Sequence, residues 1–183
     1  MKIGIDISQT AYKGTGVAEY VSRLVESLLK IDKENEYILF FSSLRRKIPN
    51  IKHQITNKFK TPNSKFQIKT FKFPLTLLDF LWNKLHIFPI ENFIGEIDVF
   101  LSSDWVQPPS KKAKLVTVVH DLTPWKYPKT LDAKIVAVHK RKMKWVKKEC
   151  DLIICDSENT KRDLVKILGF DKRKLRVIYP GRH

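Results

Sequence analysis

The sequence predicts an α/β fold, a single doubly wound and mainly parallel sheet. Three observations point there. Short β-favouring runs alternate with segments whose apolar residues recur every three or four positions, the pattern of strands joined by crossover helices. The run at residues 116–119, Val-Thr-Val-Val, is β-favouring throughout, as a strand covered on both faces requires. At least three strand ends fall at polar or glycine-rich loops, the edge where open α/β sheets place their ligands. The 183 residues are 43% hydrophobic and 30% charged, enough chain for one well-buried domain and the composition of a globular protein rather than a disordered one.

Residues 2–7 alternate and then run apolar as the first strand, ending near Asp6 and Ser8. The loop behind it holds Gly14 and Gly16, and Val17, Tyr20, Val21, Leu24, Val25 and Leu28 then repeat at helical spacing. A helix amino end just after those glycines presents free N–H groups and the positive end of its dipole, which suits an anion such as a diphosphate. The alternative is a loop that needs glycine only for its turns. The dinucleotide fingerprint does not fit, because Glu19 stands where a third glycine belongs and the loop from Asp6 is long. Residues 37–41 read as a second strand. Residues 45–72 are basic and weakly patterned, with one strand placed near 67–73. Leu75, Leu78, Leu81, Trp82, Leu85 and Phe88 recur at helical spacing and predict a core-packing face, with contact to lipid or a hydrophobic acceptor as the alternative.

Residues 97–101 form another short strand, followed by Ser103, Asp104 and Trp105. The strand at 116–119 stops at His120 and Asp121, before Pro124 and Pro128, which puts a titratable imidazole at a strand's carboxyl end. Capping alone would also explain that histidine. Asp132 caps a helix to about residue 148, with Ile135, Val138, Met143, Val146 and Cys150 on its apolar side. Its other positions carry Lys134, Lys140, Arg141, Lys142, Lys144, Lys147 and Lys148, with no acid between 133 and 148, so a solvated face or an anionic surface partner is expected. A strand at Leu152–Cys155 leads to Ser157 and Thr160, which begin a capped helix that stops at Gly169. Residues 174–179 make the last strand.

The 35 Lys and Arg residues outnumber the 19 Asp and Glu by 16, a bias that attracts phosphates of nucleic acid, anionic lipid or a phosphorylated ligand. A non-enzymatic basic module binding nucleic acid or anionic membrane is the competing class. For nucleic acid no motif is present, and the aromatics sit at core spacing rather than among the cations. A receiver-like regulator has only Asp6 in its favour. Cys150 and Cys155 read as buried thiols in a reducing compartment. The start Met-Lys-Ile-Gly-Ile-Asp lacks a signal-peptide core, and residues 71–100 are interrupted by Pro74, Asp79, Lys84, His86 and Pro89. A cytoplasmic protein is expected, held at most at a membrane surface.

Five blocks then stand in order: T-G-V-A-E-Y, F-L-W-N-K-L-H-I-F-P, the pair S-S-D-W-V-Q-P-P and V-V-H-D-L-T-P-W-K-Y-P, I-I-C-D-S-E-N-T-K-R-D-L, and V-I-Y-P-G. Together they resemble the amino-terminal domain of retaining, GT-B-fold glycosyltransferases of family 4. The resemblance implies a Rossmann-like acceptor-side domain over residues 1–179. Residues 180–183 would begin the crossing to a carboxyl-terminal donor-binding domain that is missing here, leaving a fragment, a truncated product or half of a two-chain enzyme. It implies a nucleotide-sugar donor, a glycan or lipid-linked acceptor, and no cofactor or metal, since helix dipoles and basic side chains would stabilise the leaving diphosphate. By matching position, Gly14 and Gly16 would serve the donor diphosphate, and His120 would lie beside the transferred sugar with Asp121 orienting its loop. Ser103, Asp104, Trp105, Ser157 and Thr160 would line the cleft. Lys134, Arg141, Lys144 and Lys148 are the residues expected to meet an anionic membrane at its cytoplasmic face. Alone, such a half is expected to have little turnover.

Overall fold

The apolar runs pair side by side as expected. A computed structural model describes residues 1–44, 66–102 and 104–181. In it β1 (Lys2–Asp6), β2 (Glu36–Ser42), β3 (Phe66–Phe71), β4 (Val99–Ser102), β5 (Lys114–Val119), β6 (Leu152–Cys155) and β7 (Leu175–Val177) form one sheet. The strand order is 3-2-1-4-5-6-7, and every pairing is parallel. The chain winds outward from β1 to β3, returns, and winds the other way from β4 to β7. The reversal leaves a topological switch point between β1 and β4, where such sheets open a crevice.

Alternation along β2 divides the interior. Leu39 and Phe41 join Ile5, Val21, Val25 and Leu29 on the face covered by α1 (Gly16–Ile31). Ile38 and Phe40 join Trp82, Ile94, Phe100, Met143, Val146 and Leu164 on the other. That second face is covered by α2 (Leu75–Leu78), α3 (Glu91–Ile94), α5 (Ala133–Glu149) and α6 (Glu158–Leu168), with α4 (Thr123–Lys126) following β5. The helix ends follow local chemistry. Thr15, Asp132 and Ser157 accept from Ala18, Lys134 and Thr160 backbone N–H groups, and Gly169 closes α6 at φ 63°. Cys150 and Cys155 are free and buried, and burial pushes their thiols up to about 12 and about 11.

The helical stripe at 75–88 departs from expectation. After α2 the helix widens into π-type turns over Asp79–Leu85 and ends in left-handed residues, His86 at φ 55° and Phe88 at φ 60°. Each π turn shifts later residues around the axis. Leu78 and Trp82 are therefore buried, while Leu85 and Phe88 are each 49% exposed.

The basic face of α5 also needs correction. Arg141 grips Asp79 with two hydrogen bonds, Nη2 to Oδ2 at 2.5 Å and Nε to Oδ1 at 3.2 Å, so a carboxylate 62 positions away offsets it. Lys142 is buried at 1% exposure and belongs to the core, where burial pushes its pKa down and Asp104 partly opposes the shift. Lys134, Lys144 and Lys148 are exposed.

Gly4 shows how tightly β1 is packed. A Cβ added there would lie 2.8 Å from both Ile94 Cδ1 and Phe100 Cδ2, side chains that are themselves buried. Gly4→Ala is expected to cost about 1–3 kcal/mol by overpacking, read as a lower urea midpoint; an unchanged midpoint would mean that this core yields.

Candidate active site

Parallel register brings the carboxyl ends of four strands to one edge. Ile5 lies opposite Leu101, Ser102 opposite Thr117, and Val119 opposite Cys155, so Asp6, His120 and Asp156 share that edge. His120 Nδ1 is 2.5 Å from Asp156 Oδ2, with each side chain 18% exposed. A carboxylate only accepts, so Nδ1 carries the proton, and in the neutral ring Nε2 is left as an acceptor. The backbone carbonyl of His120 accepts from Thr160 Oγ1 at 3.0 Å. That commits the Thr160 proton, so Ser157 Oγ donates to Thr160 Oγ1 while accepting from the Thr160 N–H. The Tyr20 ring meets His120 edge-on at 5.0 Å. Burial, with the Asp156 charge second, pushes the Tyr20 phenol up to about 12. Asp156 Oδ1 is buried without a hydrogen-bond partner among the described residues.

A cavity of about 400 Å³ opens beside this edge, lined by Asp6, Ser8, Gln9, Tyr12, Ser42, Ser43 and by the apolar Leu75, Leu78, Trp105 and Val106. A second, of about 20 Å³, lies among Gln9, Tyr20, Asp104 and His120. Gln9 lines both and is 3% exposed, and its Nε2 has no partner among the described residues. The wall carrying Trp105 is fixed from behind. Asn83 Nδ2 donates to Asp79 Oδ1 at 2.9 Å and to the Trp105 carbonyl at 3.0 Å, and Asn83 Oδ1 accepts from the Gln107 N–H at 3.0 Å. Gln107 Oε1 in turn accepts from Ser102 Oγ at 2.7 Å. Trp105 also packs at 5.1 Å on His139, whose Nε2 is 4.0 Å from Asp104 Oδ2. Burial pushes the His139 pKa down, with Asp104 opposing.

The expected residues are therefore distributed unevenly. His120, Asp104, Trp105, Ser157 and Thr160 converge on the edge or its cavities. Ser103 lies outside the described residues. Asp121 turns into its own loop, where Oδ1 accepts from the Thr123 N–H at 2.7 Å. Gly14 takes φ 84° in the loop before α1, and Gly16 opens the helix. A Cβ on Gly16 would meet nothing within 4 Å, so packing inside this domain does not demand glycine there. Asp156 and Gln9 were missed. For Asp156 the signal lay in adjacent strands that end in step; for a lone glutamine in a short loop there was none. No group of three His, Cys, Asp or Glu side chains among the described residues is placed to hold a metal ion.

Residues 14–182 match the sequence model of Glycosyltransferase Family 4. The chain belongs to that family. A search of curated proteins found no match. The seven-stranded parallel sheet is the Rossmann-like half expected of a GT-B glycosyltransferase. Among the described residues no helix is long and apolar enough to cross a membrane.

The hydrogen-bond geometry can be read by ¹⁵N NMR. Neutral His120 is expected in the Nδ1–H tautomer, and Asp156→Ala is expected to mix the tautomers; a pure Nε2–H form in the unmodified protein would overturn the assignment. Tyr20 adds a pH dependence. Its phenol ionises near 10 when unfolded and about 12 when folded, so the unfolded chain releases its proton first and stability falls as pH rises through that window. In urea titrations Tyr20→Phe should remove part of the fall.

Proposed function

We propose that this domain is the acceptor-binding half of a retaining glycosyltransferase that moves a hexose from a nucleotide-sugar to a cell-surface polysaccharide or glycolipid acceptor at the cytoplasmic face of a membrane. The observation that carries the reading is His120, fixed by Asp156 through Nδ1, beside a hydroxyl-rich cavity at the switch point of a family-4 sheet. An imidazole held in that tautomer accepts a hydrogen bond from a sugar hydroxyl through Nε2, which suits orienting the transferred sugar rather than attacking it. The cavity supplies the matching acceptor chemistry. The hydroxyls of Ser8, Ser43 and Tyr12, the Asp6 carboxylate and the Gln9 amide suit a polyhydroxylated ring, and Trp105 offers an aromatic wall, while the Ser42 hydroxyl is spent on the Phe73 backbone.

Gly16 is the donor-side element of the reading. Its exposed position before the N–H groups of α1 suits close approach by a diphosphate, and the space around it admits one. The donor nucleotide and sugar would be held mainly by a facing domain, whose phosphate-clamping cation and paired glutamates complete the cleft. No metal is required, because helix dipoles and basic side chains offset the leaving charge. Without the facing surface the domain is expected to have little or no turnover, since half a cleft does not position two substrates.

The test pairs this domain with a donor-binding domain and follows sugar transfer from a panel of labelled nucleotide-sugars. Transfer is expected only from the pair, and His120→Ala is expected to lower kcat/KM by about 10²–10³-fold, the range for losing one well-placed transition-state hydrogen bond. Full activity in the His120→Ala pair would sink the role given to this residue. Transfer undiminished in the isolated domain would sink the division of labour.

A further inference from the structure

The segment that disagreed with its sequence pattern leaves an apolar ridge on the surface. Leu77, Phe80, Leu85, Ile87 and Phe88 are each 37–49% exposed, close together along one helix and the corner that ends it. The corner is held rigidly. His86 stacks on Trp145 at 3.6 Å, donates from one ring nitrogen toward the Trp82 carbonyl, and pairs through Nε2 with Glu149 at 2.7 Å. Trp145 Nε1 donates to the Asn83 carbonyl at 2.8 Å, so α5 braces the ridge from behind.

Charge decides what such a ridge meets. The two acids of this region are already taken, Asp79 by Arg141 and Glu149 by His86. Among the described residues the cations pair with no acid: Lys84 sits 6.0 Å over the Phe80 ring, and Lys144 and Lys148 sit 5.5 and 5.0 Å over Trp145. Half-exposed phenylalanine and aliphatic side chains with lysines around them match the boundary of an anionic bilayer, where apolar groups enter the acyl region and ammonium groups meet phosphate. The net charge of +16 adds long-range attraction to the same surface.

We propose that the ridge formed by residues 77–88, with Lys84, Lys144 and Lys148, is the edge by which this domain docks on an anionic membrane. The same helix supplies Leu75 and Leu78 to the wall of the 400 Å³ cavity, so docking places that cavity beside the lipid surface and favours an acceptor carried on a lipid. The link to the acceptor rests on the transferase reading; the docking does not.

Sedimentation with phosphatidylcholine vesicles, with and without phosphatidylglycerol, tests the proposal on the whole chain. Binding is expected to be at least tenfold stronger with the anionic lipid. The pair Phe80→Ser/Phe88→Ser and, separately, Lys144→Glu/Lys148→Glu should each reduce it about tenfold. All four are surface positions, and unchanged circular dichroism would confirm that both variants are folded. Equal binding to both vesicle types, or to wild type and both variants, overturns the proposal. So does light scattering that finds a dimer which Phe80→Ser/Phe88→Ser dissolves, because a second copy would then cover the ridge. His120→Ala is expected to bind vesicles like wild type. Vesicle binding that survives a failed transfer assay therefore counts against the enzyme reading alone, and transfer without vesicle binding counts against this one alone.

Discussion

The buried hydrogen-bond network around Asn83 is the constraint on which the site depends. Asn83 and Gln107 are 3% and 0% exposed, and a buried amide left without partners costs about 1–3 kcal/mol. The chain meets that demand across three elements. Asp79 and Asn83 come from the widened helix, Gln107 and the Trp105 carbonyl from the loop after β4, and Arg141 from α5. A network of this kind is satisfied in one arrangement and expensive in others, so it selects one loop conformation. Trp105 is thereby placed in the cavity wall before any ligand arrives, and preorganisation of that sort is what a binding site gains from a rigid scaffold.

The same pairing alters the meaning of the net charge. A surplus of 16 cations suggests a uniformly basic surface, yet the fold uses some of them locally. Arg141 serves Asp79 and Lys142 is buried at 1% exposure, while Lys147 and Lys174 keep their charge and donate to the carbonyls of Leu168 and Cys150. Among the described residues the lysines around Phe80 and Trp145 pair with no acid and keep their charge beside exposed apolar groups. Net charge is a property of composition, whereas a docking edge is a property of which cations the fold leaves unpaired.

The strands were legible because each is a short β-favouring run set within a few residues, and the caps at Asp132, Ser157 and Gly169 because each acts within one turn. His120 was legible for a related reason: a strand end is visible locally, and topology turns every parallel strand end into the same edge. Asp156 beside His120, Arg141 on Asp79 and Gln107 on Asn83 join residues 24 to 62 positions apart. Nothing in local spacing specifies such partners. The π turns coincide with the burial of Asp79, Trp82 and Asn83, whose partners lie on other elements, and the spacing of apolar residues carries no sign of them.

The two glycines of the amino-terminal unit show how far this domain accounts for its own sequence. Gly4 is explained from within, since Ile94 and Phe100 leave no room for a side chain. Gly16 is not, because a Cβ there would enter open space, and alanine at the start of a helix would be the better helix former. Gln9 and Asp156 pose the same question, each with a buried polar atom lacking a partner among the described residues. A stable fold bears such costs at a site that binds something. Two of the unmet groups flank His120 at the strand-end edge and Gly16 opens the helix that also carries Tyr20, so one ligand entering from the open side of the edge would meet all of them. Under the transferase reading proposed above, a sugar diphosphate fits that description, with hydroxyls for the amide, the carboxylate and the imidazole and a phosphate for the helix end.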